Sequence, residues 1–172
     1  MFSNEDTSMS KIFLETNQIG IFPIFLGSFL SAKDKSWMRT YNVTHILDIG
    51  STNSSDPMFY YKKINIRDEP TENISQYFEE CIEFIDDAIS SGAVLVHCQA
   101  GISRSATIVL AWVMRNYYRS VVVPEKFTLR DFVSGLRIYR SVVNPNEGFL
   151  IQLQKFLLQE QKKCFERTGN VC

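Results

Sequence analysis

Metal-binding side chains are scarce in this chain of 172 residues. It has two histidines, and none of its four cysteines belongs to a C-x-x-C pair. The residues concerned are His45, His97, Cys81, Cys98, Cys164 and Cys172. Zinc-ligand spacing is therefore absent, and four cysteines are too few for the disulfide scaffold of a small secreted domain. We expect neither a metal nor another cofactor.

Long apolar runs and an excess of charge of either sign are also missing. No apolar run approaches the roughly 20 residues of a membrane span, and the first residues, MFSNEDTSMSKIF, lack a signal-peptide pattern. Eighteen basic and nineteen acidic residues give a formal net charge of −1, which provides no overall attraction to nucleic acid or anionic membranes. We expect a cytoplasmic protein, with the nucleus as a further location, that binds neither nucleic acid nor membrane.

The remaining composition is that of a globular protein, with 45% apolar and 22% charged residues. The length predicts one domain with a substantial core. We expect a loosely ordered N-terminal segment at 1–18, the folded domain at 19–160 and a C-terminal tail at 161–172. Hydrophobic periodicity and turn residues predict strands at 19–26, 44–49, 59–66 and 93–96, and helices at 31–41, 71–90, 103–118, 128–140 and from 147 onward.

Strands interleaved with helices predict an α/β fold, in which helices flank a central, mostly parallel twisted sheet. Pro23 within the first strand is typical of a sheet edge. The strand at 93–96, AVLV, has no polar face and is expected to be buried on both sides. Since ligands bind at the carboxyl ends of such strands, the chemistry should lie just after Val96.

The segment that follows, HCQAGISRS at 97–105, combines a thiol with a phosphate-binding pattern. Cys98 ends the strand beside a helix N-terminus, whose N–H groups favour thiolate over thiol. Gly101 permits a tight turn, and the N–H groups of such a loop bind phosphate. Arg104 adds a planar fork for two oxygens of a tetrahedral anion. A thiolate that faces a phosphoryl group predicts covalent catalysis through phosphocysteine.

The pattern H-C-x-x-G-x-x-R-S resembles the signature loop of the cysteine-based protein tyrosine phosphatase superfamily. The longer stretch HCQAGISRSAT is similar to the dual-specificity subgroup, particularly to the catalytic domains of mitogen-activated protein kinase phosphatases. Similarity continues over 19–160 at Phe25-Leu26-Gly27-Ser28, Ile46-Leu47-Asp48, Asp68 with Asn73-Ile74 and Phe78, and Arg140 with Pro145-Asn146-Gly148-Phe149-Gln152-Leu153. The resemblance implies the protein tyrosine phosphatase-like fold of the small, single-domain dual-specificity type.

The resemblance also implies a role for each residue of the site. Cys98 is the expected nucleophile, and Ser105 stabilises its thiolate when it departs. His97 supports the loop structurally and is not a base. Asp68 is the expected general acid and then the general base, although the residue types alone do not distinguish it from Glu69. Phosphate is held by Arg104 and by the backbone of Gln99, Ala100, Gly101, Ile102, Ser103 and Arg104.

The other titratable residues have structural interpretations. Cys81 falls on the apolar face of its helix, so core packing is favoured over a redox partnership with Cys98. Cys164 and Cys172 lie in a polar terminal segment and are expected to be free surface thiols. His45 lies within a strand pattern and is expected to pack in the core.

We therefore predict a protein phosphatase acting on phosphotyrosine and on phosphoserine or phosphothreonine. Its partner is a phosphorylated protein, with a kinase as one candidate, and we expect a monomer. Phosphatases of inositol lipids, RNA or glucans remain alternatives, although the loop carries no lysine to meet extra phosphates. A phosphoprotein-binding pseudophosphatase is a further alternative, although such proteins usually lose the cysteine, the arginine or the acid.

Overall fold

A five-stranded sheet organises the molecule. The computed structural model describes residues 9–16, 20–50, 56–120 and 126–169 of the chain. The strands are β1 (Met9–Thr16), β2 (Gly20–Ser28), β3 (Val43–Ile49), β4 (Tyr60–Ile64) and β5 (Ala93–Cys98). The helices are α1 (Phe29–Lys33), α2 (Lys35–Thr40), α3 (Phe78–Ser91), α4 (Arg104–Ser120), α5 (Leu129–Tyr139) and α6 (Glu147–Thr168), and a 3₁₀ turn at Ser75–Tyr77 precedes α3.

The strand order is β1-β2-β5-β3-β4. Strands β2, β5, β3 and β4 run parallel, whereas β1 pairs antiparallel with β2. Strand β5 lies in the centre, and all six of its residues are buried. The predicted α/β fold with a mostly parallel sheet is confirmed, and so is the buried central strand that leads into the site.

Successive residues of β5 point to opposite faces of the sheet. Val94, Val96 and Cys98 belong to the large core cluster, which is closed by α3, α4, α5 and α6. Ala93 and Leu95 belong to the smaller cluster beneath α1 and α2. The period of two therefore directs the side chain of Cys98 to the same face as α4.

The expectation of a loosely ordered segment at 1–18 is wrong over Met9–Thr16, because these residues pair along β2. Strand β1 occupies the edge that the sequence assigned to β2. Pro23 is aligned with Phe13 of β1 and precedes the parallel pairing of β2 with β5, which begins at Ile24. Residues 1–8 and 17–19 lie outside the described part of the chain.

The expectation of a tail at 161–172 is wrong over 161–168, since α6 continues to Thr168. Its inward-facing residues Phe156, Leu157, Glu160 and Cys164 recur at helical spacing. Cys164 is therefore buried, not a surface thiol as expected from the polar neighbours. Cys172 lies outside the described residues.

Two predicted helices also differ in extent. The helix expected at 31–41 is divided at Asp34, whose carboxylate accepts a hydrogen bond from Ser36 N and caps α2. The helix expected from 71 begins as α3 at Phe78. Among the described residues, no helix is both long and apolar enough to cross a membrane.

Candidate active site

The loop between β5 and α4 is held by its carbonyl groups. Four consecutive carbonyls, at 99–102, each accept a hydrogen bond from a donor outside the loop. Because the C=O and the following N–H of a trans peptide point in opposite directions, the N–H groups of 100–103 turn towards the inside of the loop. The donors are Phe29 N to Gln99 O (3.2 Å), Arg140 Nη2 to Ala100 O (3.1 Å), Arg140 Nε to Gly101 O (2.8 Å) and Asn144 N to Ile102 O (2.9 Å).

Only glycine fits at position 101. Gly101 has a φ of +67°, in the left-handed region, and a Cβ there would collide with the carbonyl of Gly27 on β2. A side chain would thus both strain the backbone and push the loop away from the sheet. The glycine of the motif fixes the curvature of the loop.

Cys98 is 1% exposed, and its sulfur accepts two hydrogen bonds. Gly101 N lies 3.3 Å from Cys98 Sγ, and Ser105 Oγ, fully buried on the first turn of α4, lies 3.2 Å away. Both donors stabilise negative charge on the sulfur. The structure thus brings the expected nucleophile and the expected supporting hydroxyl together.

The guanidinium group of Arg104 is anchored through Nη1. Its Nη1 donates to Gly50 O (2.7 Å) and Ile66 O (3.2 Å), which follow β3 and β4. Its Nε is buried and has no hydrogen-bond partner among the described residues. An unsatisfied buried donor costs about 1–3 kcal/mol, which an anion accepting from Nε would relieve.

Asp68 lies at the mouth of this loop. Its Oδ1 accepts hydrogen bonds from Ser103 Oγ (2.6 Å) and Asn146 Nδ2 (2.9 Å), and its Oδ2 is 3.7 Å from Arg104 Nε. The neighbouring Glu69 instead pairs with the exposed Arg67, at 3.3 Å. Of the two carboxylates that the sequence left open, the structure therefore brings Asp68 to the loop.

The two histidines have different environments. His97 is 1% exposed between Gly27 and Asp48 in the sheet. Burial lowers the pKa of His97, and the negative charge of Asp48 partly opposes this. His45 is partly buried and stacks on Tyr60, with a ring-centroid distance of 5.0 Å. Burial likewise lowers the pKa of His45.

Cys81 is fully buried on α3. Burial raises the pKa of its thiol to about 12, with the charge of Glu80 adding to the shift. A thiol that stays protonated at neutral pH is a poor nucleophile, so this environment favours the core-packing interpretation. No cluster of three or more potential metal ligands occurs within 9–16, 20–50, 56–120 and 126–169.

The sequence did not reveal three contributions to this site. These are the hydroxyl of Ser103, the amide of Asn146 and the carbonyls that hold Arg104. The pattern Asn144-Pro145-Asn146 predicted the start of α6, and Asn146 does cap that helix. Its contact with Asp68 joins residues 78 positions apart, which no local pattern can show.

Comparison with known proteins places this geometry in a family. The family model described as "Dual specificity phosphatase, catalytic domain" matches residues 24–159. Dual specificity protein phosphatase 1 of Arabidopsis thaliana is 39% identical over 134 residues, covering 76% of this chain and 64% of that protein. MAP kinase phosphatase with leucine-rich repeats protein 1 of Dictyostelium discoideum is 43% identical over 134 residues, covering 77% and 15%. The crystal structure of DUSP15 has a TM-score of 0.72 at 34% identity, covering 85% of this chain and 90% of that one.

The fold and the loop after β5 together define a cysteine-based phosphatase domain. Within that class, the chain belongs to the dual specificity phosphatase catalytic-domain family. The resemblance stated from the sequence is thereby confirmed. The chain spans less than two thirds of the length of the two curated relatives described above.

Proposed function

We propose that this protein hydrolyses phosphate esters of tyrosine and of serine or threonine on other proteins. The observation that carries the proposal is the buried Nε of Arg104, which makes no hydrogen bond to a described residue and faces Asp68 Oδ2 at 3.7 Å. Arg104 begins α4 directly after the loop from which Gly101 N donates to the sulfur of Cys98. A phosphoryl group in this loop would accept from those donors and present its phosphorus to the nucleophile.

The first step transfers the phosphoryl group to the enzyme. The Cys98 thiolate attacks phosphorus, an S–P bond forms, and the P–O bond to the substrate side chain breaks. Asp68 gives its proton to the departing oxygen, so a neutral alcohol or phenol leaves. Arg104 and the loop N–H groups bind the phosphoryl oxygens throughout.

The second step returns the enzyme to its starting state. Asp68, now a carboxylate, takes a proton from water as that water attacks phosphorus. The S–P bond breaks and the sulfur leaves as thiolate, which the hydroxyl of Ser105 stabilises from 3.2 Å. In this proposal His97 takes no part in proton transfer, since it is buried in the sheet.

Features of the loop favour protein substrates over the alternatives. Gln99, Ala100 and Ile102 are its exposed residues, and none of them carries charge. A site for inositol lipids would gain from lysines there, which could meet additional phosphates. A pseudophosphatase is disfavoured because Cys98, Arg104 and Asp68 lie together in one constellation.

A kinase is the substrate class we propose first, because one relative is named a MAP kinase phosphatase. A pull-down with the substrate-trapping variant Asp68→Ala, followed by identification of the retained phosphoproteins, tests this. The monomeric state and the cytoplasmic or nuclear location remain predictions, which light scattering of the purified chain and imaging of a tagged chain would test.

The decisive experiment compares the purified chain with Cys98→Ser. We expect the wild type to hydrolyse an aryl phosphate and phosphopeptides carrying phosphotyrosine or phosphothreonine. We expect Cys98→Ser to be inactive yet to bind phosphate or sulfate, because a serine hydroxyl is a poor nucleophile at neutral pH whereas the loop donors remain. Activity of the serine variant within tenfold of wild type would contradict the covalent mechanism.

A further inference from the structure

Two side chains that the mechanism above leaves unused converge on the proposed general acid. Ser103 lies in the loop just before α4, and Asn146 lies just before α6. Their side chains contact the same oxygen of Asp68, with Ser103 Oγ at 2.6 Å and Asn146 Nδ2 at 2.9 Å from Oδ1. The acid is thus joined to both helices that border the site.

The surroundings determine the direction of both hydrogen bonds. The Oγ of Ser103 accepts from the backbone N–H of Asn146 at 3.1 Å, which leaves its own hydrogen for Asp68. The Oδ1 of Asn146 accepts from Phe149 N at 3.0 Å, as the cap of α6. The amide of Asn146 is thereby oriented with its NH₂ group towards Asp68. Both contacts are donations to Oδ1.

The two oxygens of Asp68 therefore have different roles. Oδ1 of Asp68 already accepts two donor hydrogens. A proton bound to Oδ1 would point at one of these hydrogens, so Oδ1 has no room for it. The other oxygen, Oδ2, lies at ion-pair distance, 3.7 Å, from Arg104 Nε, which makes no hydrogen bond to a described residue and is the donor that we propose for phosphate. A proton on Oδ2 would therefore lie on the side of Arg104 and of the proposed phosphate site.

We propose that Ser103 and Asn146 are positioning residues, which keep Oδ1 of Asp68 as an acceptor and place its transferable proton on Oδ2. The proposal rests on the function proposed above, in which Asp68 is the general acid. As the P–O bond breaks and the S–P bond forms, the proton passes from Oδ2 to the leaving oxygen. In the second step the same Oδ2 takes a proton from the attacking water.

The variants Ser103→Ala and Asn146→Ser remove one donor each. Ser103→Ala leaves the backbone N–H of the loop in place. Asn146→Ser retains an oxygen that can cap α6, whereas its side chain is too short to reach Asp68. The measurement is kcat for a series of aryl phosphates whose leaving groups range from activated to poor, for each variant, for Asp68→Asn and for wild type.

We expect each variant to lose kcat in proportion to how poor the leaving group is. A positioned general acid contributes about 10²–10⁴-fold, and we expect about tenfold or more of this to be lost for the poorest leaving group. The loss should be much smaller for the activated ester, which departs without a proton. Inhibition by inorganic phosphate should change by less than about threefold, because the loop donors that bind the anion remain. The double variant Ser103→Ala/Asp68→Asn should have nearly the same kcat as Asp68→Asn alone, because the hydroxyl of Ser103 acts through the carboxyl group of Asp68.

Thr128→Ala is the matched control, since it removes a helix cap of the same kind from α5 with no contact to Asp68. It should leave the dependence on the leaving group as in wild type. If Ser103→Ala and Asn146→Ser slow all esters equally while Asp68→Asn shows the steep dependence, the positioning proposal is overturned and the proposed function stands. If Asp68→Asn shows no such dependence, Asp68 is not the general acid and the positioning proposal fails, whereas the phosphatase function is tested separately by Cys98→Ser.

Discussion

Arg104 combines two tasks that lysine cannot perform together. Its Nη1 donates to the carbonyls of Gly50 and Ile66, and its Nε, which makes no hydrogen bond to a described residue, is the donor that we propose for the phosphoryl group. Arg104→Lys keeps the charge but replaces the fork with a single ammonium group. We expect kcat/KM for an aryl phosphate to fall by well over tenfold, a loss of more than roughly 1.4 kcal/mol in transition-state stabilisation.

The exposed Arg67 supplies a control for that substitution. It pairs with Glu69 and Glu72 at the surface, where its side chain is 73% exposed. Arg67→Lys should retain kcat/KM within about twofold, because an exposed ion pair of this kind contributes little. A residual activity of Arg104→Lys above a tenth of wild type would show that the guanidinium fork is not required.

The pair Asp68 and Glu69 tests the assignment of the acid. Asp68→Asn should slow phosphotyrosine and phosphothreonine peptides by about 10²–10⁴-fold and an activated aryl ester far less. Glu69→Gln should do neither, because Glu69 pairs with the exposed Arg67. Initial rates on both substrate types measure this. If Glu69→Gln slows the peptides and Asp68→Asn does not, then Glu69 is the general acid. The proposed phosphatase function would be unaffected by that result.

At the scale of elements, the sequence predicted best where a pattern is local. The buried run AVLV and the cap Thr128–Asp131 both form the expected structures, with the capping box in place at α5. Strand β1 was missed because its stability comes from pairing with β2, which a polar and irregular sequence does not reveal. The true length of α6 was missed because the buried Glu160 and Cys164 resemble residues of a polar tail.

Helices α3, α4 and α6 are joined by one partly buried ion-pair group. Arg115 Nε donates to Glu160 Oε2 at 2.7 Å, and its Nη1 donates to Glu79 Oε2 at 2.9 Å. The side chain of Glu160 is 4% exposed, and Lys163 approaches its other oxygen at 2.9 Å. Removing Arg115 would leave a buried carboxylate with only one partner.

We therefore expect Arg115→Met to lower the free energy of unfolding substantially. Breaking a buried pair costs about 3–5 kcal/mol, and we expect the lower end because Lys163 remains. Urea denaturation at pH 7 measures the loss. Lys62→Met, which removes a surface pair with Glu80, should cost less than about 1 kcal/mol. Equal losses for the two variants would show that burial of Glu160 is unimportant.

At the scale of the whole molecule, the parallel sheet explains why the sequence predicts where the site lies but not which distant residues form it. The carboxyl ends of β3, β4 and β5 lie at one edge. That edge gathers the carbonyls of Gly50 and Ile66, the acid Asp68 and the loop after Cys98. The motif indicated the loop, whereas the contributions from other strands and from α6 depend on strand order and helix packing.

The two histidines predict how global stability depends on pH. Burial lowers the pKa of both His97 and His45 from the ordinary value of 6.5. As the pH falls below about 6.5, the unfolded chain therefore takes up protons that the folded protein resists. The stabilisation is fully present above that pH and is lost as the pH falls towards the lowered pKa values. We expect the free energy of unfolding to decrease between pH 7 and pH 5.

Urea denaturation at several pH values between 7 and 5 measures this decrease. Replacing His97 and His45 together with glutamine should flatten the dependence, and each single substitution should remove part of it. NMR titration of the folded protein gives a second measure, in which both imidazole signals should titrate below pH 6.5. If the wild type keeps constant stability over this window, or if the imidazoles titrate above 6.5, then burial does not control their protonation in the way that their surroundings indicate.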